Sequence, residues 1–299
     1  MLQPLTLATL AGLTPPDVDV QAVDDRLEEI NYDEPRDLVG ISVKTFTARR
    51  AYQIADEFRK RDVRVVLGGH HSTLLPDEAL EHADAILTGE AEGVWNQLLD
   101  DVRRGALKKI YRQEATRPLE HIRPDYSIFD KKKYLPVAMI ETTRGCPFSC
   151  SFCSVTTFFG RGFRHRPPAE VAAQVEALNK PFYFFVDDNI VADREAAKEL
   201  FRALIPLKIR WISQASLTMT KDLELMRLMR DSGCAGVLVG IESINKANLK
   251  QIHKSWNTVG VGYDEALRIA RDHGIGIVGS FILGMDEDSP ESLDLTLEF

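Results

Sequence analysis

The sequence predicts an α/β protein of parallel strands: a doubly wound sheet first, then a partial barrel of strand–helix units. Two observations carry this reading. Short apolar runs alternate with helical patterns through residues 1–105, and after a proline-interrupted stretch the alternation resumes from Val137. Strands separated by helices pair in parallel, and ligands then gather at the carboxyl ends of the strands. A third observation places chemistry in the second half. Three of the four cysteines fall in one short segment, Cys146-Pro-Phe-Ser-Cys150-Ser-Phe-Cys153.

The elements follow from local pattern. A helix-like segment covers Leu5 to Leu13, and Asp17-Val-Asp-Val-Gln-Ala-Val reads as a strand. Residues 37–43 read as a buried strand. A helix is expected over roughly 47–61, because Ala51, Ile54, Ala55 and Phe58 recur at the spacing of one helical face. Val63 to Leu67 is the next strand, followed by Gly68-Gly69-His70-His71; residues 84–89 form another strand and 94–102 another helix. Residues 106–136, broken by Pro118, Pro124 and Pro136, read as an irregular connector. Beyond it, strands at 137–143, 182–187, 209–215, 236–242 and 275–283 alternate with helices at 168–178, 194–205, 221–232 and 263–273. The domains expected are therefore 1–105, the connector 106–136, and a barrel-type domain over 137–299.

Bulk properties exclude several classes. The 299 residues are 44% hydrophobic and 27% charged, which is ordinary for a globular protein with a sizeable core. A net charge of −8 argues against a nucleic-acid footprint, and Lys131-Lys132-Lys133 reads as a solvated turn. No apolar stretch reaches the roughly 20 residues of a membrane span. Met-Leu-Gln-Pro does not resemble a signal peptide, so a reducing cytoplasmic location is expected.

The cysteine spacing is C-x3-C-x2-C with an aromatic residue, Phe152, before the last thiol. Three thiolates on one loop can hold three corners of a cubic iron–sulfur cluster and leave the fourth iron open. Zinc held with His165 is the competing reading. Cys234 lies apart and reads as a buried thiol. Polar residues at the carboxyl ends of the strands are the remaining candidates: Glu141 to Thr143, Asp187-Asp188-Asn189, Gln214 with Ser216, Glu242 with Ser243, and Gly284. Arg161, Arg164 and Arg166 follow the cysteines and could pair with a ligand carboxylate or decorate the loop. Phe148, Phe158, Phe159 and Phe163 could shield a cluster or fill ordinary core.

The C-x3-C-x-aromatic-C loop resembles the signature of radical S-adenosylmethionine enzymes. The resemblance implies a 4Fe-4S cluster on Cys146, Cys150 and Cys153, with S-adenosylmethionine chelating the open iron and cleaved reductively to a 5′-deoxyadenosyl radical. It also implies adenine packing near Phe152 and S-adenosylmethionine contacts from Asp187, Asp188, Gln214, Ser216, Glu242 and Gly284. Gly240-Ile-Glu242-Ser243 and Gly279-Ser-Phe-Ile-Leu-Gly284 resemble segments that line this cofactor in the family. A TIM-like barrel of six units is usual there. This chain reaches its fifth helix at residues 298–299, so it reads as a truncated barrel, inactive by itself if the missing part is needed.

The first half adds a second resemblance. Gly40-Ile-Ser42-Val43-Lys-Thr45, Gly68-Gly69-His70-His71 and Thr88-Gly89-Glu90-Ala-Glu92 are similar to the Rossmann-like, flavodoxin-like cobalamin domain of one radical S-adenosylmethionine subfamily, here read as lacking its first strand. Ser42, Thr45, Gly69, His71 and Gly89 are the implied cobalamin contacts. The Asp-x-His-x-x-Gly motif that supplies a histidine to cobalt is absent, so cobalamin is expected without a protein nitrogen on the metal. The function implied is methylation of an unactivated carbon of a small substrate, with a hydrophobic polycyclic compound as the class the resemblance suggests, and an external flavodoxin- or ferredoxin-type electron donor. Two alternatives stay open: a cobalamin-dependent cyclase, oxidase or rearrangement, and a non-catalytic iron–sulfur or zinc module.

Overall fold

The computed structural model describes every residue except 115, 161 and 259–261, so the expectation placed on Arg161 lies outside the described residues. Beyond the first two residues, the chain divides into two compact units, one of residues 3–117 and 121–134 and the other of residues 118–120 and 135–299. Among the described residues no helix is long and apolar enough to cross a membrane.

The first unit begins with α1 (Leu5–Leu13) and continues β1 (Leu38–Ser42), α2 (Ala48–Arg59), β2 (Arg64–Gly68), α3 (His70–Leu74), α4 (Pro76–Glu81), β3 (Ala85–Thr88), α5 (Trp95–Arg103) and β4 (Ile110–Arg112). The strands pair in parallel in the order β1-β2-β3-β4. Both faces are covered, as a doubly wound sheet requires. Val65, Leu67 and Ile86 pack on α2 through Ala51, Ile54, Ala55 and Phe58. Val66, Ala85 and Leu87 point to the other face, against Trp95, Leu98 and Val102 of α5. This is the period of two that buries alternate residues of a central strand on opposite sides.

Two expectations are corrected here. Residues 17–23 form no strand. Alternation there supplies the period, but Val20 is exposed and Asp17, Asp19 and Gln21 hold the other positions, so too little apolar area is buried to enforce pairing. Residues 106–136 are not wholly irregular, because they contribute β4. Tyr111 anchors it: the ring is buried and its hydroxyl donates to Asp101 Oδ2 at 2.9 Å. Three residues are too short for periodicity to reveal.

In the second unit β5 (Val137–Ile140), β6 (Thr143–Arg144), α6 (Val155–Phe159), β7 (Arg164–His165) and α7 (Pro168–Leu178) come first. They are followed by β8 (Phe182–Phe185), α8 (Arg194–Leu204), β9 (Trp211–Ala215), α9 (Leu223–Asp231), β10 (Cys234–Glu242), α10 (Lys246–Gln251), α11 (Tyr263–Asp272), β11 (Gly276–Phe281) and α12 (Pro290–Glu298). Five parallel strands lie in sequence order, β5-β8-β9-β10-β11. Their core is aromatic: Trp211 packs on Phe185 and Phe201 with ring centroids 5.4 and 5.2 Å apart. Asp193 and Asp222 start α8 and α9 by accepting from Ala196 N and Leu225 N at 3.1 and 3.0 Å. Cys234 is buried among this core, as expected of an isolated thiol. The small hairpin β6–β7 and the short helices α6 and α10 were not predicted.

Candidate functional site

The cysteine loop is launched from a fixed platform at the end of β5. Asp187, 1% exposed, accepts hydrogen bonds from Thr142 N at 2.9 Å, Thr142 Oγ1 at 3.0 Å, Thr143 Oγ1 at 2.8 Å and also from Thr143 N. Burial pushes this carboxyl up to about 7, against the pull of those donors. Arg166, also buried, donates from its backbone N to Thr142 O at 2.8 Å and from Nη1 to Glu141 O at 3.0 Å. The antiparallel pairing Thr143 to His165 and Arg144 to Arg164 then closes the base of the loop. Gly145 opens it with φ +88°, where a Cβ would stand 2.2 Å from the carbonyl oxygen of Gly162.

The three thiols stand free and half-buried on this loop. Cys153 N donates to Cys150 O at 3.1 Å, and Ser151 N donates to Ile252 O at 3.2 Å, which ties the loop to the segment after α10. Burial pushes the Cys146 thiol up to about 11 and raises Cys150 as well. A metal that takes thiolates would therefore supply the drive for deprotonation itself. Among the described residues no three His, Cys, Asp or Glu side chains converge to hold a single ion. A tetrahedral zinc site needs such convergence at one centre. A cubic cluster takes one thiolate per iron, so three free, half-buried thiols on one loop fit it. His165, which the zinc reading needs, instead stands 3.7 Å from Asp193.

The other strand-end residues divide into two groups. Asp188 is half-buried, among the described residues no hydrogen bond holds its carboxylate, and burial with Glu141 nearby pushes it up to about 6. Gln214 lies on the next strand and donates to Asp187 O at 3.3 Å. Ser216 is buried, 2.7 Å from Thr218 Oγ1, and accepts from Asn189 Nδ2 at 3.3 Å. The Oδ1 of Asn189 is buried without a partner among the described residues. Glu242 has φ +64° and a buried ion pair with Lys254 at 2.8 Å. Gly284 has φ +87° with open space around it, and its N–H donates to Asp288 Oδ2 at 2.8 Å. Phe152 is 49% exposed.

Two of these also have structural roles. The oxygens of Asp187 are already engaged by four donors, so it braces the loop. Gly284 serves a turn before α12. Lys254 and Trp256 were not singled out in the sequence, because Lys254-Ser-Trp-Asn follows a short helix with no periodic signal. Phe148 of the cysteine loop nevertheless stacks on Trp256, with centroids 3.8 Å apart and planes 12° from parallel.

In the first unit, Ser42, Thr45, Gly69 and Gly89 gather at the carboxyl ends of β1, β2 and β3. Thr73 joins two of them: its hydroxyl donates to Gly69 O at 2.8 Å and accepts from Gly89 N at 2.9 Å. Gly69 has φ +98°, and a Cβ there would lie 2.8 Å from Val43 O. His71 is turned inward. It is 3% exposed, with Nδ1 3.3 Å from Thr45 Oγ1 and Nε2 2.9 Å from Tyr52 OH and 3.3 Å from Glu78 Oε1. Burial and Glu78 push the Tyr52 hydroxyl up to about 12, so it stays a neutral donor. Both imidazole nitrogens are thus engaged within the protein, which leaves neither for a metal.

Comparison with known proteins completes this picture. The radical SAM superfamily profile matches residues 140–299, and the B12 binding domain profile matches residues 7–99. The bacteriochlorophyllide d C-8(2)-methyltransferase of Chlorobaculum tepidum is 34% identical over 99% of this chain and 70% of its own length. The anaerobic magnesium-protoporphyrin IX monomethyl ester cyclase of Rubrivivax gelatinosus is 30% identical over 93% of this chain, which spans 58% of that relative. Among solved structures, the radical S-adenosylmethionine methyltransferase TsrM from Kitasatospora setae, with cobalamin and a [4Fe-4S] cluster bound, has a TM-score of 0.72 at 18% identity. That match covers 89% of this chain and 62% of TsrM. At that identity the likeness is one of fold.

Proposed function

The chain belongs to the radical S-adenosylmethionine superfamily, with a B12 binding domain ahead of the radical domain, and from this premise we propose that it is a cobalamin-dependent methyltransferase acting on an unactivated carbon. A tetrapyrrole or another flat polycyclic compound is the substrate class that the first relative suggests. The observation that carries the reading is the cysteine loop, braced by Asp187 at the end of β5 and followed on the next strand by an unpartnered, half-buried carboxylate.

A cluster held by these thiols would supply one electron for reductive cleavage of S-adenosylmethionine, and a bound cobalamin would supply the methyl group. The residues here bind and orient. Cys146, Cys150 and Cys153 would ligate three irons. Asp188, with no hydrogen-bond partner among the described residues, suits the ammonium of the methionine moiety. Gln214, Ser216 and Glu242 line the neighbouring strand ends and supply polar contacts to the rest of that cofactor, with Phe152 and Gly284 at the adenine. Ser42, Thr45, Gly69 and Gly89 suit the corrin and its tail, while His71 supports Thr45 from beneath. The reducing electron comes from an external flavodoxin- or ferredoxin-type donor, and the reducing cytoplasm suits such a cluster.

Anaerobic reconstitution with iron and sulfide, followed by supply of a low-potential reductant, S-adenosylmethionine and methyl-labelled methylcobalamin, tests this. The expected result is 5′-deoxyadenosine and a labelled methyl group on a tetrapyrrole acceptor. 5′-Deoxyadenosine without methyl transfer would favour the second reading, a cyclase or oxidase, which the Rubrivivax relative suggests. Iron uptake without any cleavage would leave only a metal-binding module.

A further inference from the structure

We propose that Trp256 is a cluster-tuning residue: its indole covers one side of the cysteine loop, and its N–H is the hydrogen-bond donor held for the cluster. The inference rests on the cluster reading of the preceding subsection and names a residue that reading does not use.

Three observations converge on Trp256. Its ring stacks on Phe148, which lies between Cys146 and Cys150, at 3.8 Å and 12°. The same short segment is tied to the loop by the bond from Ser151 N to Ile252 O. Finally, the indole Nε1 is buried and, among the described residues, has no hydrogen-bond partner. Lys254, buried and paired with Glu242, stands 5.5 Å from the centroid of the same indole, and Asn257 Nδ2 donates to Gly240 O at 3.3 Å. A buried N–H seldom stays unpaired unless a group the protein binds completes it. Sulfur atoms of an iron–sulfur cluster are such acceptors. N–H donors to them stabilise the reduced, more negative state and so raise the reduction potential. The Glu242–Lys254 pair fills the space over Gly240, where a Cβ would meet Glu242 Oε1 at 2.2 Å and Lys254 Nζ at 2.5 Å.

The test uses the full chain reconstituted anaerobically with iron and sulfide, and it reads two quantities other than turnover. Trp256→Phe keeps the stack and removes the donor; Trp256→Ala removes both. In the wild type, cluster assembly should quench a part of the tryptophan emission that is missing in Trp256→Phe, since Trp95 and Trp211 lie in the two cores. In an EPR-monitored redox titration, Trp256→Phe should retain its iron and shift the midpoint potential downward. Trp256→Ala should also bleach faster on exposure to air. An unchanged potential in Trp256→Phe, with iron content equal to wild type, would overturn the proposal while leaving the cluster reading intact. A wild-type chain that assembles no cluster would instead overturn the reading on which it rests.

Discussion

Asp187 and Asp188 are neighbours in sequence and opposites in environment. Asp187 accepts from both backbone amides and both hydroxyls of Thr142 and Thr143, so Asp187→Ala would orphan four donors in the core. Such a loss should cost about 3 kcal/mol or more in urea unfolding, with Asp187→Asn recovering part of it. Asp188 has no such partner. Its carboxyl is raised from 3.8 to about 6, so the folded apoprotein favours the protonated form. The stability it contributes is present at low pH and lost as pH rises from about 4 through about 6. Asp188→Asn should flatten that part of the thermal-midpoint profile. If it pairs with a ligand ammonium, S-adenosylmethionine affinity in the reconstituted protein should fall below about pH 6. The same variant should bind about tenfold more weakly at pH 7.5, by calorimetry. Replacing any one loop cysteine, as in Cys150→Ala, should abolish the cluster EPR signal and S-adenosylmethionine cleavage together.

At the scale of elements, the loop depends on how two strands and a hairpin meet. Gly145 occupies a left-handed conformation with the Gly162 carbonyl where a side chain would go. Gly145→Ala should therefore reduce iron incorporation on reconstitution, measured per chain, although the substituted residue ligates nothing. Long elements with a clear apolar stripe were legible in the sequence. The helix Pro168–Leu178 and the stripe Tyr263, Ala266, Leu267 and Ala270 are examples. The short ones were not: β4, the β6–β7 hairpin and α10 span 2–6 residues, too few for a period to register. The strand expected at residues 17–23 had the period without the buried partner face.

For the whole molecule, the two compact units each present polar residues at the carboxyl ends of parallel strands, which is where such sheets bind ligands. His71 is buried in a network with Tyr52, Glu78 and Thr45, so it is not available to cobalt. Cobalamin bound to the chain should accordingly show a Co(II) EPR spectrum with no superhyperfine splitting from the His71 nitrogens. His71→Gln should leave that spectrum unchanged and lower only the stability of the first unit. A nitrogen splitting lost in the variant would refute this assignment.

The sequence by itself determined the alternation of strands and helices, the three thiols on one loop and their spacing, because these are properties of neighbours along the chain. Only the tertiary structure separated Asp187 the brace from Asp188 the free carboxylate, turned His71 inward, and set Trp256 on Phe148. Those outcomes depend on which distant backbone donors, hydroxyls and rings fill the space around each side chain. Residues about 45 and 108 positions apart meet there, and no local pattern records such meetings.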